Sequence, residues 1–574
     1  MTKVKRLLSL LILVSLVIAA CAPAAQPAAA PAAPAAPAAP AAPAQPKAPA
    51  AAAPAQAPAA APAPAAAPAP VAAAATGAPK RGGVITLAAG GAAGGLFDPY
   101  TNSTQGLNVL GCCYLHLLKA ERNTGQWDVV YKPWFAESWD IAPDGKSITF
   151  KLRKGVKWAQ LPPLNGREVT AEDVKYSYDR LAFDPRSSVR GAFISLASVE
   201  VVDKYTVKFV ATAPTSLLIE NARQHPAWII PREVVERDGN IDNTMIGAGP
   251  YYLEKKVAGV GYTLARNPNY FDAPKPYPDT MKWILITDAA ALTAAFRSGQ
   301  LDVRSSLKKP EMEAILKTNP TAKVERVLQG ETKWLIYKAD EPGAPWADMR
   351  VRVATSKALD RDAMLAAESQ GEGVWGGIIH TSYAPYALTG EETRKIYNLQ
   401  YDPAVAKQLM KEAGYPNGFK LPIATRSGDV PRLLLLQQML KENLNIQLDF
   451  QIKEAADFIA NGFTGNYKNA IMHQVGGTQT WFLILQFTFY SKGKWPTSKL
   501  GPVNDASIED IFTTFDEKER VRKTRELQYR LLNDQLWYIP TIGSPSYNMF
   551  QPWLQDFNPH AIDNTYLTDA WVSK

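Results

Sequence analysis

Sulfhydryl and imidazole groups are scarce, with 3 Cys and 5 His in 574 residues. The histidines, His116, His225, His380, His473 and His560, are scattered. No two stand at the i, i+4 spacing that puts two ligands on one helix face, so a zinc hydrolase has no visible basis and neither metal nor cofactor is expected. A Gly-x-Ser-x-Gly nucleophile elbow is missing. Gly145-Lys146-Ser147 lacks the upstream glycine of a phosphate-cradling loop, because position 140 is Asp. Gly247-Ala248-Gly249-Pro250 departs from a dinucleotide fingerprint, since Pro follows the second Gly and Tyr252 takes the place of the third. Asp and Glu are plentiful, which leaves a glycosidase-type carboxylate pair open. A basic face is also lacking. The formal charge is +8, but Lys3, Lys5, Arg6 and Lys47 lie before residue 80 with no acid among them, which leaves +4 on an interleaved body. Nucleic acid is therefore not an expected partner.

Proline, by contrast, is abundant (45 residues), and much of it is local. Lys3, Lys5 and Arg6 precede an apolar run from Leu7 to Ala20, too short to span a bilayer and suited to a signal-peptide core over residues 1–20. The run ends in Val17-Ile18-Ala19-Ala20-Cys21, which resembles the bacterial lipobox and marks Cys21 for lipidation; an ordinary secretory signal is the alternative. Residues 22–79 hold 51 Ala or Pro in 58 positions, so 21–79 reads as a lipidated cysteine followed by an extended tether with no core-forming side chains.

From Lys80 the pattern becomes that of a folded, mixed α/β body. Ile148, Phe150 and Leu152 alternate in Ser147–Leu152, and Val199–Val202 with Tyr205, Val207 and Phe209 reads as a hairpin turning at Asp203-Lys204. Thr170-Ala171-Glu172-Asp173 has the spacing of a capping box ahead of a helix bearing Val174, Tyr178 and Leu181. Helices are expected from Asp288 to Ser298, from Asp402-Pro403 to Gly414, over Pro431–Leu444 and over about Glu517–Leu536, with a strand alternating at Ile446, Leu448, Phe450 and Ile452. Cys112 and Cys113 read as small buried thiols at the start of a helix, with a vicinal disulfide as the alternative.

Several segments together resemble the large extracytoplasmic solute-binding proteins of ABC importers, family 5, the dipeptide-, oligopeptide- and nickel-binding type. They are Pro133–Trp139, Pro143–Trp158, Thr170–Val174, Gly247–Tyr251, Arg266–Tyr270, Ser298–Val303, Asp348–Arg361 and Tyr401–Phe419, in the family's order. The resemblance implies a periplasmic-binding-protein-like, two-lobed α/β fold (class II, cluster C) with an extra subdomain in the first lobe. The implied division is lobe I over 80–117, extra subdomain over 118–237, lobe I again over 238–328, lobe II over 329–540 and a return to lobe I over 541–574. It further implies a monomer that captures a peptide or other small polar solute, passes it to ABC permease transmembrane subunits and performs no bond chemistry.

In peptide-binding relatives a second-lobe carboxylate after a Gly-Trp segment pairs with the ligand ammonium. The corresponding stretch here is Gln474-Val475-Gly476-Gly477-Thr478-Gln479-Thr480-Trp481, which contains no acid. A buried ammonium without a counter-charge is costly, so free-amine peptides lose ground to an oligosaccharide or another neutral polar solute. Tyr114, Trp375, Arg426, Gln474, Gly477, Thr478, Gln479 and Trp481 are the candidate ligand contacts, Arg426 for an anionic group. The competing classes are an exported hydrolase and a peptide-binding chaperone or sensor on the same frame.

Overall fold

The computed structural model describes residues 78–89, 97–101, 107–122, 129–223, 226–328, 332–454, 457–474, 480–493, 496–557 and 567–574. The signal segment, Cys21 and the Ala/Pro tract lie outside them, as do Gly477, Thr478 and Gln479 and the side chain of Gln474. No helix among the described residues is long and apolar enough to cross a membrane.

Two groups of sheets are joined by two chain crossings. The first lobe holds a four-stranded sheet in the order Val84–Ala89, Thr280–Leu285, Gly261–Arg266, Tyr251–Val257, with only the first pair parallel. Beside it, Pro545–Phe550 runs antiparallel between Val303–Leu307 and Lys323–Leu328. The second lobe is built on a five-stranded sheet in the order Gln447–Ile452, Lys420–Thr425, Ala470–Gln474, Lys333–Tyr337, Tyr538–Pro540. Its first three strands are parallel and the last two are antiparallel to their neighbours. Leu421, Ile423, Ile471 and Met472 are fully buried, as a sheet covered on both faces requires.

The extra subdomain has its own antiparallel sheet, ordered Ala136–Ile141, Ser147–Leu152, Thr206–Ala211, Leu196–Asp203. Ile148, Phe150 and Leu152 all point into its core, with Phe150 edge-on to Phe209 at 5.2 Å. The capping box forms at the helix Ala171–Tyr178: the Thr170 amide donates to the Asp173 carboxylate at 2.9 Å. Asp173 also receives the Arg167 guanidinium in a two-point ion pair, so one side chain both starts the helix and anchors the preceding loop.

The crossings run side by side. One lies between Leu328 and Lys333, the other between Pro540 and Pro545. Leu328 pairs with Pro545 in the first-lobe sheet, and Trp334 pairs with Pro540 in the second. Between them the Thr541 amide and hydroxyl both donate to the Lys333 carbonyl, at 3.0 and 2.7 Å. Ile542–Gly543 still pairs with Val374–Trp375, so strand membership changes between Gly543 and Pro545. Glu372 accepts from Lys309, Arg326 and Tyr547, all on first-lobe elements.

The cysteines differ from expectation in one respect. Both are free and buried, but they close the helix Leu107–Cys113 instead of opening one. The Cys113 carbonyl accepts from the Gly249 amide at 2.9 Å, and a Cβ on Gly247 would lie 1.8 Å from that carbonyl oxygen. Gly247-Ala248-Gly249 is therefore glycine-rich because helix and loop backbones touch there.

Candidate ligand site at the carboxyl edge of the second lobe

Parallel strands place their carboxyl ends on one edge, where loops of different strands converge and ligands of open α/β sheets bind. In the second lobe that edge is formed by the ends of Lys420–Thr425 and Ala470–Gln474 and the start of Lys333–Tyr337, because Lys333 pairs with Gln474. Arg426 follows the first strand, His473 lies near the end of the second, and Lys333 opens the third. These residues are far apart in sequence, and the sheet brings them together.

Asp429 is the acid at this edge. Its side chain is 4 % exposed and forms ion pairs with Lys333 and, at 3.3 Å, with Arg426. Two cations thus share one buried carboxylate, and both keep part of their surface in solvent, 24 % for Lys333 and 31 % for Arg426. The Arg426 guanidinium stands 5.2 Å from the Phe458 ring centre. His473 packs against Phe463 at 4.0 Å, and neither ring nitrogen has a partner among the described residues. Burial, assisted by the Arg426 charge, pushes its pKa well below the ordinary imidazole range, so it is neutral. The cluster carries one positive charge in excess, next to a neutral imidazole and two aromatic rings. An oxyanion fits that arrangement.

Trp481 begins the helix Trp481–Ile484 just after the acid-free segment. Its ring stacks on Tyr386 at 4.0 Å and 12°, and Arg520 donates to the Tyr386 hydroxyl at 3.0 and 3.2 Å. The Thr480 hydroxyl is buried with no partner among the described residues. Trp375 is placed elsewhere. It lies in the Val374–Trp375 strand, donates to Asp362 at 2.9 Å and is covered by Arg394 at 4.7 Å, contacts that hold it within the second lobe. Tyr114 belongs to the first lobe, fully buried after the helix Leu107–Cys113, with no partner for its hydroxyl among the described residues. Burial raises its pKa well above the phenol range, with Cys113, Asp98 and Asp242 adding to the effect.

Lys333, Asp429, His473 and Tyr386 are the contributors that sequence reasoning missed. Asp429 stands three residues after Arg426 at a helix start, a local signal that was available; Lys333 and His473 reach the edge only through strand pairing. Among the described residues no group of three or more His, Cys, Asp or Glu side chains could hold a metal ion.

The model of the bacterial extracellular solute-binding proteins, family 5, matches residues 130–494, well over half of the sequence. The chain belongs to that family. Di/tripeptide-binding protein 1 of Pseudomonas aeruginosa is 23% identical to this family 5 protein over 519 residues, which cover 84% of this chain and 93% of the relative. Among solved structures, the periplasmic binding protein DppA of Helicobacter pylori in complex with the peptide STSA superimposes with a TM-score of 0.74 at 21% identity, covering 86% of this chain and 99% of its own. AgaA of A. tumefaciens R10 in complex with agropinic acid gives 0.72 at 21% identity, covering 85% and 99%. The two-lobed fold of these proteins is the fold of this family 5 chain.

Proposed function

We propose that this protein is the receptor of an ABC importer, closing its two lobes on a short peptide or a related carboxylate-bearing solute and presenting it to the permease. The observation that carries the reading is the cluster of Lys333, Arg426 and Asp429 at the carboxyl edge of the second-lobe sheet, whose excess positive charge suits a ligand carboxylate. Gln474, Gly477, Thr478, Gln479 and Trp481 are the proposed sources of further amide, hydroxyl and aromatic contacts, whereas Tyr114, fully buried in the first lobe, has no free surface to offer a ligand. Closure needs differential affinity only, so no group has to attack or protonate the ligand, and the protein acts as a binder and not as an enzyme. Lipidation at Cys21 holds the monomeric receptor to the membrane outer face, with the Ala/Pro tract as spacer.

A second reading has support from one feature. The stretch from Gln474 to Trp481 contains no acid to pair with a ligand ammonium, which favours a solute that has a carboxylate but no free primary amine. Calorimetry with short peptides, their C-terminal amides and their N-acetyl forms decides between the two. The proposal expects amidation, or Arg426→Ala, to weaken binding by about tenfold or more, the value of one charge-assisted hydrogen bond. Equal affinity for acid and amide sinks it. N-acetylation that leaves affinity intact supports the amine-free reading, and a large loss on acetylation removes it.

A further inference from the structure

A cavity of about 240 Å³ lies where the extra subdomain meets the first lobe, well removed in sequence and sheet membership from the carboxyl edge described above. Its walls include Lys119 and Trp134 from the subdomain, Arg153 at the end of the Ser147–Leu152 strand, and Tyr270, Phe271 and Lys275 from the loop after Gly261–Arg266. The volume exceeds that of an engineered cavity of about 150 Å³ able to hold benzene. Three of its nine lining residues are aromatic and three are cationic, and Asp272 is the one acid among them.

The charges are unequally satisfied. Lys275 is held between Asp569 at 2.7 Å and Asp272 at 3.5 Å, and Lys119 has only a loose contact with Asp569 at 3.8 Å. Arg153 has no carboxylate within ion-pair distance among the described residues. Its Nε donates to the Trp134 carbonyl at 3.3 Å and its guanidinium lies 5.2 Å from the centre of Phe271, so its terminal amino groups are uncommitted. Tyr270 adds a donor. Its hydroxyl accepts from the Trp134 indole at 3.2 Å, and its own proton has no acceptor among the described residues. Desolvation raises the Tyr270 pKa above its ordinary value, which keeps that proton in place at neutral pH.

We infer that this cavity is a second binding site, for a small organic carboxylate whose oxygens are met by Arg153, Lys119 and the Tyr270 hydroxyl while its apolar part lies against Trp134 and Phe271. A planar guanidinium matches a carboxylate at two points, and the aromatic walls distinguish an organic acid from inorganic phosphate. The site joins subdomain to first lobe, both on one side of the two crossings. Its occupancy therefore stabilises that junction without competing for the interlobe ligand.

Thermal unfolding and calorimetry of the full chain with benzoate, acetate and inorganic phosphate test this. Benzoate is expected to give a saturable rise in Tm, acetate a weaker one and phosphate the weakest. Arg153→Gln and Lys119→Gln should each lower benzoate affinity several-fold, Arg153→Lys should recover part of it, and Arg426→Ala should leave it unchanged, which separates this site from the proposed ligand site. A crystal soaked in 4-bromobenzoate should show bromine between Trp134 and Phe271. Absence of saturable benzoate binding, an undiminished response in folded Arg153→Gln, loss of the response in Arg426→Ala, or bromine elsewhere overturns the inference.

Discussion

The contact between the extra subdomain and the second lobe offers a quantitative test of lobe closure. Ser216 of the extra subdomain donates its amide and its hydroxyl to the Phe512 carbonyl of the second lobe, both at 2.9 Å, and the Thr215 hydroxyl donates to the same oxygen at 3.3 Å. Three residues on, the Phe515 ring lies over Gly145, where a Cβ would come within 2.1 Å of Cζ. Phe515 is 48 % exposed, so its removal costs about half of a buried Phe, about 1 kcal/mol. The Ser216 hydroxyl bond is worth about 1 kcal/mol more. If these contacts exist only when the lobes are closed, the variant Ser216→Ala/Phe515→Ala loses about 2 kcal/mol of closed-state stability, roughly thirtyfold in ligand affinity. Gly145→Ala acts in the same direction by pushing the ring away from a backbone position whose φ is +65°. Titration calorimetry against a bound short peptide, with unliganded melting as the control, measures the effect. An unchanged Kd together with a lowered unliganded Tm would refute the reasoning, because the contact would then serve the resting structure and not closure.

Other outcomes follow from buried groups. Desolvation lowers the pKa of fully buried His380 to about 3, and His473 is lowered in the same direction. Both stay neutral when folded while the unfolded chain takes protons near pH 6.5, so the stability they contribute is complete above that pH and falls as the pH drops toward the folded values. At pH 5 His380 costs about 2 kcal/mol and His473 adds a loss of the same sign, which denaturant titrations between about pH 7 and pH 5 will record. Arg361 is fully buried with no acid partner among the described residues and donates to the carbonyls of Pro540, Ser356 and Leu399. Arg361→Ala leaves those acceptors unmet and should cost about 3 kcal/mol or more in urea unfolding. Burial raises the thiol pKa of both Cys112 and Cys113, so peptide mapping after alkylation of the native protein should find neither labelled, and both should be labelled on unfolding.

Local structure was readable wherever the code is local. The strand Ser147–Leu152 matches its expected limits, and the helices at Ala289–Arg297 and Pro403–Glu412 are capped by Asp288 and Asp402 as expected. The hairpin after Leu196–Asp203 turns where Asp203-Lys204 indicated. Ile446–Ile452 was less simple. The strand is Gln447–Ile452 at a sheet edge, and its alternation leaves Leu448 and Phe450 half-buried. The final long helix ends at Arg530 as a regular α-helix and widens into a π-helical turn through Gln535. Arg426 could be singled out from its loop, but the arrangement of Lys333, Asp429 and His473 around it depends on pairing between strands more than a hundred residues apart, which no local pattern encodes.

Solution scattering from the full chain, with and without a pool of di- to tetrapeptides that the same preparation binds by calorimetry, addresses the central claim most directly. Capture between two lobes predicts a smaller radius of gyration on saturation, reached in Arg426→Ala only at about tenfold or more higher peptide concentration. Saturable binding with superimposable scattering curves would contradict it.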